Sequence, residues 1–245
     1  LHAFFLTRTN GASQTFDYMA NAGNLLPAPL RNQVSVRIAV AERADIVIDF
    51  SRYAIGTELY LSNRLQQVET RRHEGLGAAT PVLKFIVDRE PPEQDLSQVP
   101  NVLRELRPLD PAEIAAAPVR RWVFERSNGM WAINGQFFNP NQPRAVIPKG
   151  GAEVWELVNI DNGWDHPIHI HFEEGRILSM TRDGVEVPVP PHMRGRKDVY
   201  LLERNSSFRV FMRFRDFVGK YVMHCHNLIH EDHAMMLRWD IREDD

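Results

Sequence analysis

Short apolar runs, many of them rich in β-branched residues, recur along the chain with turn residues between them. In the first ninety residues VSVRIAVAE, RADIVIDFS (43–51), TELYLSN (57–63) and PVLKFIVD (81–88) read as strands. Residues 64–80, RLQQVETRRHEGLGAAT, are polar and contain glycine, which predicts a surface loop. The pattern breaks over 89–118, where six prolines interrupt a stretch almost without strand character. That predicts a linker with one or two short helical turns. From Arg120 the strands resume: RRWVFERS, MWAINGQFF, AVIPKGGAEVWELVNI, PIHIHF, RILSM, DVYLLE, SFRVFMRF and YVMHCH. No helix-periodic segment is long enough to build a βαβ unit. The expected fold class is all-β, a Greek-key sandwich or barrel.

Composition narrows the classes of function. The chain has 245 residues, 43% hydrophobic and 25% charged, as a globular protein does. No run of eighteen apolar residues occurs, so no membrane span is expected. The formal net charge is -3 and the basic residues are scattered, which argues against a nucleic-acid partner. A single cysteine excludes an intramolecular disulfide and any zinc site with two thiolates from this chain. The opening LHAFFLTRTNG has neither an initiator Met nor the pattern of a signal peptide, and it reads as the middle of a folded domain. The expectation is that an N-terminal part of a longer protein precedes it.

The chemistry lies in two histidine clusters, HPIHIH (His166, His169, His171) and HCHNLIHEDHAMM (His224, Cys225, His226, His230, His233, Met235, Met236). Side chains on a strand alternate between faces. In YVMHCH, His224 and His226 therefore point one way and Cys225 the other. His169 and His171 share a face, and His166, an odd number of positions away, takes the opposite one. Parity thus puts Cys225 and His166 at one site, and His169, His171, His224 and His226 at a second site across the same strands. A thiolate, two imidazoles and a weak axial thioether form the ligand set of a blue copper electron-transfer centre. Cys225, His166, His230 and Met235 supply it. The four remaining histidines offer only imidazole, which suits copper bound near oxygen, and the Cys225 backbone is a short covalent path between the sites. His233 and Met236 are left without a place in the pattern. His2, His73 and His192 read as surface residues, and Met223 reads as core. A rival reading takes His169-x-His171 with Glu173 or Glu174 as a cupin-like iron or manganese site. That reading leaves Cys225 and its flanking histidines without a purpose.

HPIHIH and HCHNLIHEDHAMM resemble the two C-terminal copper signatures of the multicopper oxidases, the family of the laccases and bilirubin oxidase. ERADIVIDFS resembles a strand near the end of that family's second cupredoxin domain, and WAINGQFF the opening of its third. The resemblance therefore implies a partial second cupredoxin domain over 1–90, a linker over 91–118 and a third cupredoxin domain over 119–245. It implies copper as cofactor, with His166, Cys225, His230 and Met235 as type 1 ligands. It gives His169 the role of a type 2 ligand, and His171, His224 and His226 those of type 3 ligands. Glu231 matches an acidic residue that assists proton delivery during dioxygen reduction. Trp164, two before His166, resembles the bilirubin-oxidase end of the family. Met235 is the lower-potential choice compared with the Leu or Phe of many fungal laccases.

The implied reaction is one-electron oxidation of a small-molecule or metal-ion substrate near His230, coupled to reduction of dioxygen to water. The implied location is periplasmic or secreted. One departure matters. The family builds its trinuclear cluster from eight histidines, four of them in two His-x-His motifs of the first domain. This chain has only the pairs 169/171 and 224/226. It is expected to hold a complete blue site and half of a trinuclear one, with the N-terminal cupredoxin portion or another chain supplying the rest. The alternative is a blue-copper electron-transfer module without oxidase activity of its own.

Overall fold

Strand pairing absorbs nearly every apolar run. The computed structural model describes residues 1–69 and 71–243, and the chain divides into two units, 1–106 and 107–245. The first unit contains β1 (His2–Arg8), β2 (Ser13–Gln14), β3 (Phe16–Asn21), β4 (Asn24–Gln33), β5 (Ser35–Ile38), β6 (Ala44–Val47), β7 (Glu58–Val68) and β8 (Arg72–Ile86). One sheet has the order β2-β1-β7-β8, with β5 also pairing β1; the other has the order β4-β3-β6. Leu6, Phe16, Tyr18, Leu26, Val36 and Leu59 form the buried core of the unit.

The loop expected over 64–80 is instead the far half of the β7–β8 hairpin, where Leu65 pairs with Leu76 and Gln67 with His73. β8 is a sheet edge and almost wholly exposed. A ribbon wet on both faces needs no apolar alternation, so its strands leave no periodic signal.

The second unit contains α1 (Pro111–Ala116), β9 (Val119–Ser127), β10 (Met130–Ile133), β11 (Pro143–Pro148), β12 (Ala152–Asn159), β13 (His166–Ile170), β14 (Arg176–Arg182), β15 (Val185–Val187), β16 (Val199–Leu202), β17 (Ser206–Arg213), β18 (Gly219–Cys225), α2 (Leu228–Asp232) and β19 (Met236–Arg242). Asp110 starts α1 by accepting the Ala112 N–H at 2.9 Å, and Pro111 needs no amide partner in the first turn. Ile114 then packs on Val154 and Phe211.

A six-stranded sheet, β10-β9-β12-β17-β14-β15, and a five-stranded sheet, β11-β19-β18-β13-β16, make a β-sandwich, as the all-β expectation requires. Trp122, Trp155, Phe208 and Val210 from the first sheet share one buried cluster with Ile168, Ile170, Met223, Cys225 and Trp239 from the second. Trp155 meets Trp122 and Trp239 edge-on, each at 5.7 Å. Asn128 and Gly129, at φ 50° and 78°, close the β9–β10 hairpin in the turn type that favours Asn-Gly, and so deliver Trp131 to the core.

The register of β13 against β18 decides the site. Ile168 lies opposite Cys225, His169 opposite His224, and Ile170 opposite Met223. Ile168, Ile170, Met223 and Cys225 all enter the core, so His169 and His224 take the other face. Asn159 clamps the entry to β13. Its side-chain amide donates to the carbonyls of Trp164 (2.8 Å), Glu203 (3.1 Å) and Leu202 (3.3 Å), and its oxygen accepts the Asp161 N–H at 2.8 Å. Asn159→Ala should cost about 2–3 kcal/mol, because buried carbonyls lose their donor, and a urea unfolding curve would read the loss. An unchanged midpoint would mean that the clamp carries no stability.

Candidate metal centre

Two donor sets lie on opposite faces of β13 and β18. In the first, Cys225 Sγ stands 3.7 Å from His166 Nδ1 and 3.5 Å from His230 Nδ1, and the two nitrogens are 2.9 Å apart. All three residues are fully buried. A point equidistant from three atoms so placed lies about 2 Å from each, the length of a metal–imidazole bond.

Backbone hydrogen bonds hold the cage. Cys225 N–H donates to Met235 C=O at 3.0 Å, Met235 N–H to His230 C=O at 2.9 Å, and His226 N–H to Pro167 C=O at 2.7 Å. Ala234, at φ 73°, turns the chain from α2 into β19 and leaves Met235 fully buried in the cluster that holds Cys225. The segment carrying His230 is the short helix α2, capped by the Asn227 side chain on Ile229 N–H at 3.2 Å.

Burial dominates the electrostatics here. It pushes the Cys225 thiol up to about 12 and holds His166 well below the usual imidazole value, with the charge of His230 adding to the effect. His230 falls to about 3, through burial and then through the Arg126 charge. The Nε2 atoms of His166 and His230 are buried without hydrogen-bond partners. Soft sulfur and two neutral imidazoles converging in a dry pocket are the donor set that suits copper. A metal that takes the thiolate reverses the effect of burial on Cys225.

The second set faces the other way. The donor atoms of His169, His224 and His226 lie within 4.8 Å of one another. His171 stands beside them, its Nε2 3.1 Å from His224 Nε2, though outside that tight group. His224 Nδ1 lies 3.2 Å from the Cys225 carbonyl oxygen and 3.4 Å from Glu231 Oε2. α2 therefore turns His230 toward one set and Glu231 toward the other. Burial lowers His169 to about 4, with the charge of His171 next in weight.

Parity sorted these residues as the strands now hold them, and the core reading of Met223 agrees with its full burial. The cupin-like reading lacks its carboxylate. Glu173 accepts the Arg215 N–H at 3.2 Å, and Glu174 pairs with Arg196 at 3.3 Å.

Two features escaped the sequence reading. Asp198 Oδ2 lies 3.7 Å from His169 Nε2; its only signal was a lone acid one residue before β16. Trp131 stacks on the His230 ring at 3.8 Å, with Trp164 edge-on at 4.8 Å. His230 thus lies beneath two indoles. WAINGQFF carried Trp131 in plain view, but nothing local tied it to a histidine 99 residues later.

A two-sheet β-sandwich with these two donor sets defines a copper protein of cupredoxin type. The multicopper oxidase family profile matches residues 111–245, and the chain belongs to that family. It is 38% identical to bilirubin oxidase of Albifimbria verrucaria over 90% of this chain and 38% of that protein. It is 30% identical to a laccase of Haloferax volcanii over 83% of this chain and 34% of the relative. The McoA multicopper oxidase of Aquifex aeolicus superposes with a TM-score of 0.82 at 22% identity, over 98% of this chain and 52% of the other; it shares the cupredoxin-like fold. The chain therefore spans about a third to a half of the length of these relatives. Membership implies copper as the metal.

Cys225→Ser should remove the intense visible thiolate-to-copper band from copper-loaded protein while leaving the far-ultraviolet circular dichroism of the sheets intact. A retained band would disprove the role of Cys225.

Proposed function

We propose that this chain is the C-terminal part of a laccase-like oxidase. It would hold a complete type 1 copper site on His166, Cys225 and His230, with Met235 as its thioether donor. His169 would act as a type 2 ligand, and His171, His224 and His226 as type 3 ligands, in half of a trinuclear cluster. The observation that carries the reading is the convergence of one sulfur and two imidazole nitrogens on a common point, with a second histidine set across the same two strands. Residues 1–90 would belong to a second cupredoxin domain and 119–245 to a third, joined through 91–118.

Bound copper supplies a one-electron redox couple at the first set and, in a complete cluster, four-electron reduction of dioxygen to two waters. Trp131, itself buried, and the partly buried Trp164 cover His230, so a reductant would meet the Trp164 indole rather than the imidazole. Cys225 joins the two sets twice, through its covalent bonds to His224 and His226 and through the His224 Nδ1 contact with its own carbonyl. Glu231, half-buried on the histidine face and 3.4 Å from His224 Nδ1, would pass solvent protons toward His224.

Multicopper oxidases take electrons from a reducing substrate and give them to dioxygen. A small-molecule or metal-ion reductant is the reading here, and an N-terminal cupredoxin portion would contribute the missing four histidines. Among the described residues no helix is long and apolar enough to cross a membrane. The family includes secreted and periplasmic enzymes, and we assign this chain to that group.

Copper content with visible and electron paramagnetic resonance spectra tests the reading. About one copper per chain, an intense thiolate band and a small parallel hyperfine splitting are expected from the chain alone. About four coppers with an added type 2 signal are expected once a histidine-bearing partner is present. A copper-loaded chain with no thiolate band would overturn the proposal. In the same material Met235→Leu should keep the colour and raise the reduction potential. An unmoved potential would remove Met235 from the axial position.

A further inference from the structure

Away from both donor sets, four arginines converge beside α1. Arg176 opens β14, Arg213 ends β17, Arg215 follows two residues later, and Arg196 lies in the loop ahead of β16. They line one cavity of about 50 Å³ together with Glu174. Leu109 and Phe211 give it an apolar side. Strand geometry explains the convergence. Arg176 pairs directly with Phe211 across β14 and β17, and Arg213 lies two residues after Phe211 on the same face.

The charges do not balance within the protein. Arg213 makes a two-pronged pair with Glu113, at 2.6 and 2.5 Å, and Arg196 pairs with Glu174 at 3.3 Å. Among the described residues Arg176 reaches only a neutral partner, the Arg107 carbonyl, at 2.8 Å. Among the described residues no side-chain hydrogen bond or ion pair engages the Arg215 guanidinium; its backbone N–H donates to buried Glu173. Four cations face three carboxylates, Glu113, Glu174 and the buried Glu173, whose carboxylate feels the charges of Arg215 and Arg196, which leaves an excess of one positive charge among these residues. Burial and the neighbouring Arg213 charge both work against the charged form of Arg176.

We propose that this pocket binds a small dianionic oxyanion, of the phosphate or sulfate class. The Arg176 and Arg215 guanidiniums, which no carboxylate pairs directly among the described residues, offer the N–H donors and the positive charge that an oxyanion accepts. The cavity has room for a single small ion and not for a nucleotide.

The site braces the histidine face from outside. Glu174 and Arg176 lie on the segment that leaves His171, and Arg196 lies two residues before Asp198. Gly175 and Lys197 exchange N–H···O=C bonds of 2.9 Å between these two segments. An anion held by Arg176, Arg196 and Arg215 fastens them a second time, without touching a copper ligand.

The test uses the 245-residue chain, titrated with inorganic phosphate and separately with sulfate. Ionic strength is held constant with sodium chloride, and calorimetric binding is read with the thermal midpoint. Saturable binding of either dianion, with a rise in midpoint that chloride does not reproduce, is expected. Arg215→Gln and Arg176→Gln should each weaken that binding at least tenfold. Arg215 is exposed, so its variant keeps the fold even if the Arg176 variant loses stability. A response that does not saturate, that acetate or chloride matches, or that survives Arg215→Gln would overturn the site. None of these readings depends on copper or on oxidase activity, so failure here leaves the proposed function standing.

Discussion

The pairing of β13 with β18 is the constraint on which the rest depends. Two antiparallel strands in fixed register turn a run of mixed ligands into two separate chemical environments. Ile168 opposite Cys225 marks the dry side, and His169 opposite His224 marks the wet one. A slip of one residue would bring the thiol out of the core and send His224 into it. The aromatic packing of Trp155, Trp239 and Phe214 behind these strands fixes that register, because each inward side chain already has its neighbours.

Metal chemistry then follows from burial. A thiol and two imidazoles inside a protein core are all neutral by themselves, and the core tolerates them in that form. Their spacing suits a cation that replaces the thiol proton. On the opposite face His169, His171 and His226 keep partial contact with solvent while His224 is buried, and two carboxylates, Asp198 and Glu231, stand at their edge. One pair of strands thus offers a dry donor set that includes sulfur and a wetter one of imidazoles alone.

Much of this was legible in the sequence because alternation is local. The six residues of HPIHIH and the three of HCH carry their own face assignments, and the sheet pairing had only to bring them together. Contacts made at long range were not legible. Asp198 and Trp131 reach the sites through pairing and stacking that no short window contains. The β7–β8 ribbon was missed for another reason: it buries too little to need an apolar stripe. The last strand, β19, was also missed; its residues MLRWDIR mix charge with apolar side chains. Arg238 and Arg242 converge on buried Asp240, so a strand with three ionised groups still packs inward.

The helix α2 has five residues, yet it places His230 in one site and Glu231 at the other. Its neighbours in the backbone hydrogen-bond chain are Cys225 and Met235. The segment 225–235 can therefore open only as one cooperative unit, and any fluctuation that frees His230 also loosens Met235 and withdraws Glu231 from His224. Solvent exchange at the amides of Cys225 and Met235 and loss of metal from the dry site would share a single free-energy barrier. A metal held there would have a lifetime set by local unfolding as well as by ligand strength.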